Sequence, residues 1–74
     1  MNADLAVTME EVWRERCGHR WNRMSRVEML CLKMIALKIA RILSSDVPIT
    51  EHWDDVAGYA KLASDYIEGK SQYG

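Results

Sequence analysis

Two acidic side chains are spaced for metal chemistry. Glu51 and Asp55 are four residues apart, so in a helix of 3.6 residues per turn they lie one above the other. Both carboxylates could then hold one cation such as Mg²⁺, which prefers oxygen ligands. An equally good interpretation is that acids in a first helical turn complement the positive end of the helix dipole. Gly58, a poor helix former one turn after Asp54, suggests a neighbouring backbone or a ligand close by.

A basic segment lies earlier in the chain. Five arginines fall between residues 14 and 26, against one acid, Glu15, and they are interleaved with His19 and with Trp21. Guanidinium groups bind phosphate through paired hydrogen bonds, and tryptophan rings stack on bases. The pI of about 6.1 is well below the value of dedicated nucleic-acid domains, so nucleic acid is a weaker prediction than a solvated or salt-bridged loop. The predicted binding residues are Arg14, Arg16, Arg20, Trp21, Arg23 and Arg26.

A third set of candidate binding residues lies on and before the last helical segment. His52, Asp55 and Tyr59 recur at i, i+3 and i+7 and therefore share one helix face. They could line a pocket or a partner surface. The alternative is that His52 hydrogen-bonds Asp55 while the tyrosines pack with their hydroxyls in water. Lys38 and Arg41, at the end of the preceding apolar segment, could neutralise phosphate groups.

Length and composition restrict the class of protein. The 74 residues suffice for one small domain, residues 1–74, with a net charge of -1. No apolar run approaches the roughly 18 residues of a membrane span, and the first residues do not resemble a signal peptide. We therefore expect a cytoplasmic protein without membrane contact. Cys17 and Cys31 lack Cys-x-x-Cys spacing, so we expect free thiols, and no cofactor is predicted unless the chain is a magnesium enzyme.

The elements that position these residues are predicted to be helices. Capping signals and apolar periodicity predict an all-α fold of three helices, at about residues 9–17, 26–44 and 51–68. The starts are predicted from Thr8 with Glu11, from Ser25 with Glu28, and from Thr50; the ends are predicted from Gly18, Pro48 and Gly69. The predicted core stripe of the third helix is Trp53, Val56, Ala57, Ala60, Ala63 and Ile67.

The second helix predicts self-association. From Met29 to Leu43 only Lys33, Lys38 and Arg41 are polar, and they fall within one arc of about 140° on a helical projection. The remaining apolar surface exceeds what two short helices can cover. A homo-oligomer is therefore expected.

A resemblance adds to these interpretations. Leu37-Lys38-Ile39-Ala40-Arg41, a short polar loop, an acid, a tryptophan two residues on, and Asp55-Val56-Ala57-Gly58-Tyr59-Ala60 together resemble a group of phage-encoded helical proteins of unassigned function. Those proteins are similar to the all-α nucleoside triphosphate pyrophosphohydrolases of the MazG type. The resemblance covers about residues 29–67. It implies that the last two helices form a long antiparallel hairpin, that the protein is of phage origin and hence located in the host-cell cytoplasm, and that it oligomerises through the hairpin.

The resemblance leaves two hypotheses about function. In MazG-type enzymes, paired acids on two neighbouring helices hold magnesium; Glu51 and Asp55 match the later pair, whereas only Glu28, or Glu11 with Glu15, is available for the earlier one. The leading prediction is a non-catalytic, inhibitor-like binding protein that occludes a host or defence protein or holds a nucleotide. The alternative is a magnesium-dependent nucleoside triphosphate pyrophosphohydrolase whose site is completed across subunits.

Overall fold

Three helices make up the chain. The computed structural model describes the backbone of residues 2–73 and the side chains of residues 4–69, and within them it contains α1 (Asn2–Trp21), α2 (Arg26–Ser44) and α3 (Thr50–Tyr73), with no strand. α2 packs against both other helices, whereas the described parts of α1 and α3 do not meet. This confirms the predicted all-α fold and hairpin. In residues 2–73 no helix combines the length and apolar character needed to cross a membrane.

The start of α2 is the best-predicted boundary. Ser25 is its N-cap: the Ser25 hydroxyl accepts a hydrogen bond from the Glu28 amide at 3.1 Å, and the Glu28 carboxylate accepts one from the Ser25 amide at 3.2 Å. Two amides that the first helical turn cannot satisfy are therefore paired. The helix ends at Ser44, because Ser45 has an extended backbone, with φ -84° and ψ 139°.

α1 is longer than predicted at both ends. The Thr8 hydroxyl donates to the Asp4 carbonyl at 2.9 Å, so Thr8 lies inside the helix and does not cap it. Gly18 does not end the helix either. Instead the backbone leaves helical geometry at Cys17, with φ -127° and ψ 26°, and the kinked helix continues to Trp21. The ends of the kinked helix are held by packing, because Ala6 and Trp21, one near each end, are both buried.

α3 packs on a different row of residues from the one predicted. Val56 and Ala63 are half-buried as expected, together with His52, Tyr59 and Tyr66. The prediction for the rest of the stripe is wrong: Trp53 is 59% exposed, Ile67 is 48% exposed, and Ala57 and Ala60 are exposed. The two rows are adjacent on the helix. We call the half-buried row the inner row; it consists of His52, Val56, Tyr59, Ala63 and Tyr66. It lies beside the ion pair that joins Lys38 of α2 to Asp55 of α3 at 2.7 Å.

The helix also begins and ends differently. Thr50 is the first helical residue of α3 rather than a cap before it, and the helix continues past Gly69 to Tyr73. Gly58 does not mark a close approach, since a Cβ built there would meet nothing within 4 Å in the described structure. A tolerated glycine on an exposed helix surface explains that position.

The three helices form a flat layer with a small core. The Cα atoms extend over 44 × 28 × 13 Å, so the molecule is about one helix thick. Among the described side chains, the buried apolar ones are few and mostly small: Ala6, Trp21, Cys31, Ala36 and Ala40. Cys17 is exposed, and both cysteines are free thiols. The larger aliphatic side chains of α2 are therefore only partly covered by α1 and α3.

Candidate binding surfaces

A basic corner surrounds the turn between α1 and α2. We use this name for Arg14, Arg16, Arg20, Arg23 and Arg26, all of which are exposed. The turn is held by backbone hydrogen bonds, from the Asn22 amide to the Gly18 carbonyl at 2.9 Å and from the Arg23 amide to the Arg20 carbonyl at 3.1 Å. The predicted arginines are therefore brought to one end of the layer by a hydrogen-bonded turn.

The charges of the basic corner are only partly neutralised. Arg14 pairs with Glu10 at 2.7 Å, and Arg20 lies 3.5 Å from Glu28, at the outer limit of a hydrogen bond. Within residues 4–69, the other three arginines of the corner have no carboxylate partner. Three guanidinium groups are thus available to an anionic partner, which is more than a merely salt-bridged loop would leave.

Trp21 has a structural position. Its side chain is 5% exposed, its ring centroid lies 5.9 Å from that of Trp13, and the Arg14 guanidinium is 5.9 Å from its ring. A tilted aromatic pair and a cation over a ring both stabilise packing. The ring of Trp21 is therefore buried in packing and is not free to stack on a base, whereas the five arginines of the basic corner are exposed.

An apolar depression lies next to the basic corner. It is lined by Trp13, Cys17, Trp21, Met24 and Leu32, and Arg20 is the one charged residue among its lining groups. Its chemistry suits an apolar side chain more than a polyphosphate. The sequence indicated the charges of this corner but not the depression, because Leu32 reaches it from another helix.

One residue of the predicted metal pair, Asp55, forms an ion pair with Lys38. The Lys38 ammonium contacts the Asp55 carboxylate at 2.7 Å, and this hydrogen bond, with the further positive charges of His52 and Arg41, lowers the pKa of Asp55. Lys38 is thereby engaged with protein and not free for a phosphate. Glu51 is exposed on the same helix. Across residues 4–69, no three His, Cys, Asp or Glu side chains are grouped closely enough to hold a metal ion, so the metal assignment stays a prediction.

His52 and Tyr59 lie in the inner row of α3. Both are half-buried against α2, and the His52 Nδ1 atom is buried with no hydrogen-bond partner in the described structure. The expected His52 to Asp55 hydrogen bond is replaced by the Lys38 to Asp55 pair. Tyr59 also lines a surface depression with Asp54, Asp55, Gly58 and Leu62. Of the predicted pocket residues, Tyr59 and Asp55 come together, and His52 points toward the helix contact.

The two broad sides of the layer differ in charge. Lys33 of α2 reaches Glu10 of α1 at 3.7 Å, Lys38 reaches Asp55 of α3 at 2.7 Å, and exposed Arg41 lies between these cations on a helical projection. We call this side the charged face. Among residues 29–69, the opposite side of α2 and the adjoining side of α3 carry no charged residue; Glu28 lies on that side in the first turn of α2. We call that side the apolar face and define it by Leu32, Ile35, Ile39 and Leu43 of α2 and Trp53, Ala57, Ala60 and Ile67 of α3.

Comparison with known proteins adds no relative. No match was found when the chain was compared with protein-family models, with curated proteins and with solved structures. The resemblance to phage proteins and to MazG-type enzymes therefore stays a prediction from the residues that carry it.

Proposed function

We propose that this chain is a small non-catalytic binding protein of phage type, acting in the host-cell cytoplasm, that occludes a host or defence protein by docking its basic corner on an acidic surface of the target. The observation that carries the proposal is the set of three unpartnered arginines in the described structure, Arg16, Arg23 and Arg26, held next to a hydrogen-bonded turn. The phage origin depends on the resemblance alone.

A protein target is favoured over a nucleotide by the surroundings of the arginines. A nucleotide site normally encloses most of its ligand and adds polar groups that fix the base and the phosphates. Here the neighbouring depression is apolar and its lining includes one charged residue, Arg20. An apolar depression with an arginine at its edge is typical of a protein interface, where arginine and aromatic residues are enriched.

The enzyme alternative receives less support from the geometry. Magnesium-assisted phosphoryl chemistry needs several oxygen ligands around the ion and cations for the phosphates. Asp55 and Lys38 neutralise each other across the α2–α3 contact. Glu28, the candidate for an earlier ligand, forms the capping box at the other end of α2. An enzyme would require ligands from another subunit.

The test compares charge reversal in two places. Purified wild-type protein, the Arg16→Glu/Arg23→Glu variant and the Lys61→Glu control are immobilised and exposed to bacterial lysate. We expect a target retained by wild type and control and lost by the corner variant, because Lys61 is an exposed cation on α3, far along the chain from the corner. A target held equally by the corner variant would contradict the proposal.

The nucleotide hypotheses are tested on the same samples. Calorimetric titration with ATP, with and without Mg²⁺, is combined with a pyrophosphate-release assay. We expect neither binding nor turnover. Binding without turnover would replace the protein target with a nucleotide, and magnesium-dependent turnover abolished by Glu51→Gln/Asp55→Asn would establish the enzyme alternative.

A further inference from the structure

The layer exposes more surface than a compact chain of its size. Its accessible surface is 5718 Å², whereas the scaling for compact monomers gives about 4,700 Å² at a mass of 8.6 kDa. Its radius of gyration is 13.7 Å, against about 11 Å for a compact chain of this length. The surplus of roughly 1,000 Å² follows from the flat shape. Domains are normally built from at least two packed layers, and one chain provides only one.

The apolar face is the side on which a second layer is missing. Around α2, Leu32, Ile39 and Leu43 lie about 160–180° from Arg41, and Ile35 lies about 120° from it, toward α3. Leu32, Ile35 and Ile39 are half-buried, and Leu43 is 71% exposed. The apolar face continues on α3 with the row Trp53, Ala57, Ala60 and Ile67. On that helix the inner row lies between this row and Asp55. Apart from Glu28 in the first turn of α2, the two helices together form an uncharged surface, with the exposed alanines Ala57 and Ala60 between Trp53 and Ile67.

We propose that the apolar face is a dimer interface, on which a second copy of this chain lays its own apolar face to give a six-helix assembly of two layers. The surplus area per chain is close to the roughly 800 Å² that each partner contributes to a stable interface of standard size. A two-fold dimer brings the same patch of both copies together, and an uncharged patch can pair with itself without opposing like charges. The exposed alanines allow close approach, and the larger side chains bury against them.

The charges of the other side make a second copy a better occupant than a lipid surface. Helices that lie on membranes carry many lysines and arginines on the polar side, which attract anionic lipids. Here the polar side of α3 is acidic, with Glu51, Asp54, Asp55, Asp65 and Glu68. On the polar side of α2, Lys33 and Lys38 are paired with Glu10 and Asp55, which leaves Arg41 as the cation without a carboxylate partner among the described residues. In the dimer, both charged faces point outward. The proposal does not use the arginines of the basic corner; the two surfaces share one residue, Leu32, which also lines the depression beside that corner.

The experiment uses matched glutamate substitutions on the two faces. Trp53→Glu and Ile67→Glu change exposed residues of the apolar face, at 59% and 48% exposure. Leu30→Glu and Leu62→Glu change residues of similar exposure, 57% and 52%, on the charged face. Sedimentation velocity over a wide concentration range gives the dimer dissociation constant of each variant. We expect the first pair to raise it at least about tenfold and the second pair less than about threefold, since only the first pair places charge in a desolvated interface.

Several results would overturn the proposal. Wild-type protein sedimenting at the mass of one chain at every concentration would remove the dimer. Equal weakening by the control pair would place the interface elsewhere. Monomeric protein that co-floats with vesicles of phosphatidylcholine and phosphatidylglycerol would make the apolar face a lipid-binding surface. Circular dichroism checks that each variant is folded, and Ala60→Arg, also at an exposed position of the apolar face, replaces any variant that is not.

Discussion

The charged face and the apolar face are formed by the same helices but are stabilised by different contacts. On the charged face, ion pairs join neighbouring helices: Lys33 with Glu10 to α1, and Lys38 with Asp55 to α3. On the apolar face, leucine and isoleucine side chains of α2 remain partly in water and Trp53 is largely exposed. The charged face therefore has its partners within one chain, whereas the apolar face does not.

This difference shows what an amphipathic pattern can predict about the packing of a helix and what it cannot. Apolar periodicity is usually taken to identify the buried side of a helix. In α2 the polar residues do identify the outward side, but the apolar arc is too wide for one neighbour. α1 and α3 pack on its two edges, where Cys31, Ala36 and Ala40 are buried. The larger residues between those edges are left for a partner.

We expect the largest loss of stability from a substitution that disturbs the helix contacts on which both faces depend. Ala40 is 0% exposed, so Ala40→Leu overpacks the helix contacts around α2 and should lower the free energy of unfolding by about 1–3 kcal/mol. Val12→Leu, at a residue of α1 that is 46% exposed, is the control and should change it by less than about 0.5 kcal/mol. Urea unfolding followed by circular dichroism measures both. Equal effects would show that Ala40 is not at a close contact.

A second pair of substitutions compares the two faces directly. Ile39 is half-buried on the apolar face, so Ile39→Ala should cost about 1–2 kcal/mol, less than the loss at a fully buried site. Arg41→Ala, exposed on the charged face, should cost less than about 0.5 kcal/mol. Unfolding is measured at one low protein concentration, since association adds stability. A larger loss of stability for Arg41→Ala than for Ile39→Ala would contradict the prediction that the apolar face contributes more than the exposed arginine.

The capping box is a reference that belongs to neither face. Ser25→Ala removes the hydroxyl that accepts a hydrogen bond from the Glu28 amide. We expect the free energy of unfolding to fall by about 1 kcal/mol. Ser44→Ala, at the exposed opposite end of α2, should have a smaller effect. Thermal unfolding at fixed concentration compares the two variants. If Ser25→Ala were silent, the start of α2 would be held by packing and not by its cap.

The smallest effect concerns the ion pair between α2 and α3. Because Lys38 lowers the pKa of Asp55 in the folded protein, the pair stabilises the fold above the unfolded-state pKa of about 4. That contribution is lost as the pH falls through the lower folded-state pKa. Lys38→Met should therefore flatten the acid limb of stability against pH, measured by urea unfolding below about pH 5. Lys61→Met, which breaks an exposed pair with Asp65, should leave the contribution of Asp55 in place; identical curves for wild type and Lys38→Met would contradict the assignment.

The local features of this protein were predictable from the sequence. The bounds of α2 and its capping box follow from Ser25, Glu28 and the residues after Ser44, because capping depends on atoms only a few positions apart. The cations of α2 mark one side of it for the same reason. The ends of α1 were predicted wrongly: Thr8 has a cap's chemistry, but packing at Ala6 and Trp21 extends the helix beyond it.

The sequence indicated candidate site residues but not their exposure or their partners in the fold. All five arginines of the basic corner are exposed, and their closeness in the chain was visible in the sequence; their role as a binding site stays a prediction. Trp21 was expected among the binding residues and is buried, because its exposure depends on a contact with α2. The engagement of Asp55 by Lys38 was also missed, since seventeen positions separate them and only the hairpin brings them within 2.7 Å.

By itself, the sequence determined the all-α class and the uneven distribution of charge, because both depend on short-range periodicity, capping and residue type. The α2–α3 hairpin was implied by the resemblance. Only the tertiary structure decided which of two adjacent rows of α3 faces α2. Periodicity gives an apolar arc but not the direction from which a neighbour packs, and that direction is set by contacts between residues far apart in the chain. The exposure of Trp53, and with it the apolar face, is a consequence of that choice.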